Sequence, residues 1–105
     1  MTTIVQTKGQ VLQTLHDHSA ELKDLGVRKM GLFGSFVRNE QTIASDIDLL
    51  VQFEPDKKTF DNFMELSALL ESLLQRRVEL VTTEALSRHI APHIMNEVEY
   101  ASFSA

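Results

Sequence analysis

The 105-residue sequence has no cysteine, only two prolines and four glycines, and fewer basic than acidic side chains. Without cysteine there is neither a disulfide framework nor a thiolate-held zinc site. Ten Lys and Arg against fifteen Asp and Glu leave a formal net charge of -5, which repels a phosphate backbone. The basic positions Arg28–Lys29, Arg38, Lys57–Lys58 and Arg76–Arg77 are scattered among acids, so no stripe tracks a nucleic-acid strand. General DNA or RNA binding is thereby excluded, and any phosphate handled is small. No stretch approaches the roughly 18 apolar residues of a membrane span. Met1–Gln10 lacks the apolar centre of a secretion signal, which makes a cytoplasmic, membrane-free protein the expectation. A hydrophobic content of 43% at this length fits a single domain, residues 1–105, with a buried core.

The order of elements follows from hydrophobic spacing. Val11, Leu12, Leu15, Leu22 and Leu25 predict an amphipathic helix over Thr7–Leu25, with Gly26 as its stop. Val27–Phe33 is bulky and partly β-branched and runs into Gly34-Ser35, predicting a short buried strand and a tight turn. Phe36–Asn39 has room for one helical turn. Ile47, Leu49, Val51 and Phe53 then alternate with Asp46, Asp48, Leu50 and Gln52, a strand with one apolar face. Leu66, Leu69, Leu70, Leu73 and Leu74 form a core-facing helical stripe that Thr59 or Asp61 can cap and that reaches about Gln75. Val78–Thr82 predicts a third strand. Thr83 and Glu84 open a further helix that Pro92 interrupts or restarts. The segment from Val98 to Ala105 carries no clear pattern. The implied class is α+β, a small mixed sheet with helices packed against it.

Asp46 and Asp48 are one residue apart on a strand, so their side chains leave one face with Cβ atoms about 6–7 Å apart. Magnesium takes hard oxygen ligands, commonly one or two carboxylates with water and substrate phosphates completing the shell. Alone, such a pair is most simply two solvated acids at a strand start. Gly34-Ser35 alone is an ordinary turn, and Arg38 alone a surface cation. In succession they make a different object: a glycine–serine bend with backbone amides and an arginine, followed within a dozen residues by two same-face carboxylates. That is both halves of a metal–triphosphate site.

Gly34-Ser35-Phe36-Val37-Arg38 followed by Ser45-Asp46-Ile47-Asp48-Leu49-Leu50-Val51 resembles the signature of the DNA polymerase beta nucleotidyltransferase superfamily. The likeness extends over nearly the whole chain and is greatest to the minimal nucleotidyltransferases encoded beside HEPN-type toxins. It implies the polymerase beta-like fold, with Gly34, Ser35, Arg38 and Ser45 at the triphosphate and Asp46 and Asp48 as paired metal ligands and catalytic carboxylates. A third carboxylate on a later strand falls to Glu79, where the family usually has aspartate, and Asn39 stands where glycine is usual. The implied activity is transfer of AMP from ATP to a hydroxyl, such as a tyrosine of a cognate HEPN toxin. Two magnesium ions about 3.5–4 Å apart would flank the α-phosphate. Two alternatives stay open: an antitoxin that works by contact alone, and transfer to a small aminoglycoside-like acceptor, which would need a second lobe or a dimer to enclose it. Homo- or hetero-oligomeric assembly is open as well.

The remaining candidates have plainer readings. His89 and His93 have helical metal-ligand spacing but are separated by Pro92, while His16 and His18 point in different directions on a helix. Phe33, Phe53, Phe60 and Phe63 read as core. Tyr100 and Phe103 are an interaction surface if the last segment stays exposed.

Overall fold

The computed structural model describes residues 7–103, so the first part of the Met1–Gln10 reading and the end of the last segment, residues 104–105, lie outside it. The opening helix is two helices. Thr7 caps α1 (Lys8–Asp17) in a capping box: its side chain accepts from the Gln10 N–H, and the Gln10 side chain accepts from the Thr7 N–H. The chain breaks at His18 (φ −109°, ψ 22°), whose ring bonds back to the Thr14 carbonyl, and resumes as α2 (Ser19–Asp24). The break re-aims the second half so that Leu22 joins Val11 and Leu15 in the core. Side chains that bond the preceding turn compete with the helix ladder in this way.

The three expected strands appear, β1 (Val27–Phe33) and β3 (Val78–Thr82) at their expected bounds and β2 as Ile47–Phe53. Asp46 is the residue just before β2 rather than its first member. Thr59 caps α3 (Phe60–Leu74), which ends at Gln75 in the left-handed conformation, φ 55°. After β3 the chain makes one 3₁₀ turn, Thr83–Ala85, and the helix expected there starts only at α4 (Ala91–Glu97), with Pro92 in its first turn. Unforeseen by the pattern, β4 (Glu99–Tyr100) adds an edge.

The sheet order is β3-β2-β1-β4, with β2 and β3 parallel and the other neighbours antiparallel. One face carries Met30, Leu32, Ile47, Leu49 and Val51 against Val11, Leu15, Leu66, Leu70 and Leu74 of the helices, all buried. Truncating Leu70 to Ala is expected to lower unfolding free energy by about 2–5 kcal/mol, read from urea midpoints, because a buried leucine leaves a cavity. Two aromatic expectations are corrected. Phe60, the first residue of α3, is 77% exposed rather than core, whereas Phe36 in the bend is wholly buried. Phe103 is partly buried against the core and Tyr100 half-buried under Lys29, so both are packed against the fold rather than free as a surface.

Candidate functional site

The second face of the sheet carries the polar chemistry. Pairing register sets Phe33 opposite Asp48 and Asp48 opposite Glu79, so one row crosses three strands. Alternation sends Asp48 away from the core that Ile47 and Leu49 fill, and the parallel register brings Glu79 to its side. Their carboxyl groups lie within hydrogen-bonding reach of one another. Asp48 is pushed up to about 6, first by burial, then by the charges of Glu79 and Asp46, with Arg38 pulling the other way. Among the described residues no three or more His, Asp or Glu side chains are grouped as a metal-holding set, so Asp46, Asp48 and Glu79 do not form one without further ligands. His89 and His93 are both exposed. His16 instead meets the Ser102 carbonyl at 2.5 Å.

The bend runs directly out of β1. Gly34 is buried with φ +79°, and a Cβ there would overlap Oδ2 of Asp48 and come within 2.9 Å of its carboxyl carbon. Glycine is needed on both counts: left-handed backbone and contact between bend and carboxylate. Residues 34–39 form a set of turns rather than the single helical turn expected over Phe36–Asn39, with Glu40 N–H on the Ser35 carbonyl at 2.9 Å. Asn39 takes φ 58°, the conformation that asparagine tolerates in place of glycine.

Two expected phosphate donors are already engaged by a residue the sequence did not single out. Gly34 N–H donates to Glu97 Oε2 at 2.7 Å, and Arg38 Nη1 donates to Glu97 Oε1 at 2.8 Å. Arg38 Nε also donates to Glu40 at 2.6 Å. Ser45 accepts the Thr42 N–H at 2.8 Å and so closes the loop that leads into Asp46. Arg76 clamps the same loop through the carbonyls of Thr42, Ile43 and Ser45 and lies over the Phe36 ring at 5.0 Å. Its basic doublet with Arg77 was legible, but nothing local assigned it this fastening.

Beside the carboxylate row opens a cavity of about 360 Å³, bounded by Phe33, Val81, Leu86, Ile90 and Ile94, with Asp48 and Glu79 at its wall. Charged carboxylates at one end of an apolar recess are the arrangement expected where a ring is held next to a reacting oxygen.

The model of the family described as "Nucleotidyltransferase domain" matches residues 15–103. The chain belongs to this nucleotidyltransferase family. The protein adenylyltransferase MntA of Thermococcus cleftensis is 41% identical over 95 residues, covering 90% of this chain and 95% of that one. A solved structure assigned as a minimal nucleotidyltransferase superposes with TM-score 0.69 at 30% identity, covering 84% and 93% of the two chains. A tri-AMPylated Shewanella oneidensis HEPN toxin in complex with its MNT antitoxin shares the fold, with TM-score 0.61 at 22% identity over 89% and 73%. The resemblance carried by Gly34–Arg38 and Ser45–Val51 is thus borne out, as is the α+β nucleotidyltransferase fold. No helix among the described residues is long and apolar enough to cross a membrane.

Nucleotidyltransferases of this superfamily are expected to work with magnesium, and the donor chemistry here suits it. Asp48 and Glu79 stand side by side with Asp46 near enough to be felt, and burial together with these charges opposes ionisation of Asp48. A hard divalent cation would relieve the repulsion on Asp48, with phosphate oxygens and water as the further ligands such an ion takes.

Proposed function

We propose that this chain, acting as a single domain, transfers the AMP unit of ATP to a hydroxyl, a tyrosine in the favoured case, on a HEPN-type toxin and so serves as its antitoxin. The observation that carries the reading is the Asp48–Glu79 pair placed against the Gly34 bend and opening onto an apolar recess. The adenylyltransferase relative and the fold shared with an MNT antitoxin in a HEPN complex support the donor and the partner.

Asp46, Asp48 and Glu79 would hold magnesium, two ions in the fullest form, and the cations would neutralise charge on the α-phosphate and acidify the acceptor hydroxyl. Ser35 and Arg38 hold the outer phosphates and keep the leaving group in line, with Ser45 keeping the loop before Asp46 in place. Glu79 accepts the acceptor's proton as the new O–P bond forms; the bond to pyrophosphate breaks and that group departs. The recess lined by Phe33, Val81 and Ile94 offers an apolar wall beside the carboxylate pair.

Co-expression with a genomically adjacent HEPN protein, followed by intact-mass measurement of that protein, tests the reading. Added AMP units are expected, lost in the presence of a chelator and regained with magnesium. A toxin that is inhibited yet unmodified in mass would support the second reading, neutralisation by contact alone. That reading is favoured by glutamate at position 79 and by the engagement of Gly34 and Arg38 with Glu97.

A further inference from the structure

Glu97 is the last residue of α4 and reaches across to the bend with both carboxylate oxygens. One oxygen takes a backbone N–H and the other a guanidinium N–H, which is how a phosphate's oxygens are gripped at a bend. We propose that Glu97 is a resident anion in the phosphate cradle, holding the Gly34 N–H and Arg38 until an incoming polyphosphate displaces it. The proposal rests on the nucleotidyl-transfer reading above and goes beyond it by assigning a residue that sets nucleotide affinity.

Three features support displacement over a fixed strut. First, Gly34 is buried, and an unpartnered N–H there would be costly, so exchange of one anion for another keeps the donor satisfied throughout. Second, the site already contains Asp46, Asp48 and Glu79, and Arg38 is the cation that offsets Asp48. A further carboxylate bound to Arg38 spends that offset, and an anionic nucleotide would meet net repulsion while Glu97 stayed. Third, Glu97 can leave by its side chain alone: that side chain is 25% exposed, while the backbone after it is held by the β4 pairing with Gly31 and Leu32 and by the Ala101 N–H on the Met30 carbonyl at 2.9 Å. A rotamer change at the end of α4 releases both donors without disturbing the core.

Titrate wild type and Glu97→Gln with a non-hydrolysable ATP analogue and, separately, with inorganic tripolyphosphate, both with magnesium, after checking equal thermal melting. Removing the competing charge is expected to tighten both ligands about tenfold, equivalent to about 1.4 kcal/mol. Tightening of tripolyphosphate as well as the analogue places the effect at the phosphates rather than the base. Unchanged or weaker binding by a folded Glu97→Gln overturns the proposal and makes Glu97 a strut for the bend. If the variant melts early, wild-type NMR decides: tripolyphosphate must shift both the Gly34 amide and the Glu97 carboxyl carbon, and a stationary carboxyl resonance overturns displacement. Failure of both ligands to bind either protein overturns the nucleotide reading itself, and this proposal with it.

Discussion

Asp48→Asn is expected to abolish transfer while making the ligand-free protein more stable at neutral pH. Loss of transfer follows from replacing a cation-holding anion with a neutral amide of the same shape. Several kcal/mol of charge stabilisation disappear, so the rate should fall about 10³-fold or more. The gain in stability follows from the environment of the same carboxyl, raised from an ordinary 3.8 to about 6 by burial and by Glu79 and Asp46. The unfolded chain gives up this proton first, so the folded state binds more protons between those two values. Stability therefore falls as pH rises through that window, and the penalty is complete above about pH 6. Asp48 is only half-buried, so solvent screening reduces the effect to about 1–2 kcal/mol at pH 7. Urea midpoints of the two proteins should be close at pH 4 and separate by pH 7, with the variant ahead. Magnesium should then stabilise wild type and leave the variant unmoved. Equal midpoints at both pH values would show that the carboxylates do not strain one another, and the cation site would lose its physical basis.

Gly34→Ala carries the second large effect, on fold and site together. Alanine must hold φ +79°, and its Cβ overlaps the Asp48 carboxyl group and comes within 3.2 Å of the Asp48 Cβ. A destabilisation of about 2–4 kcal/mol is expected from strain and steric overlap combined. Either the bend or Asp48 must move, and a displacement of about 1 Å at reacting groups costs about 10²-fold in rate. Circular dichroism melts and the transfer assay on protein held well below its midpoint separate the two losses. If the alanine variant melts with wild type and transfers normally, the close approach of bend and carboxylate is not what builds the site.

Both variants concern residues that stand out from the sequence alone, and the reason is local. Val27–Phe33, Ile47–Phe53 and Val78–Thr82 are short apolar runs ending in turn residues, and the Leu66–Leu74 stripe repeats at helical spacing. Each of those signals lies within a few residues of chain. His18 shows the limit: the helical spacing continues through it, yet its ring and the Thr14 carbonyl divide the helix. Phe60 shows another, since an aromatic at a helix start is core or surface depending on what lies beneath it.

The sequence by itself determined the strands, the long helix and the glycine–serine bend, because these depend on periodicity and backbone preference over short spans. Only the tertiary structure decided that Glu79 stands beside Asp48, which required a parallel pairing across α3. It alone decided that Glu97, 63 residues from Gly34 and 59 from Arg38, holds both, and that β4 closes the sheet edge. Such contacts arise from the path of the chain in space, and a residue's neighbours in sequence carry no record of that path.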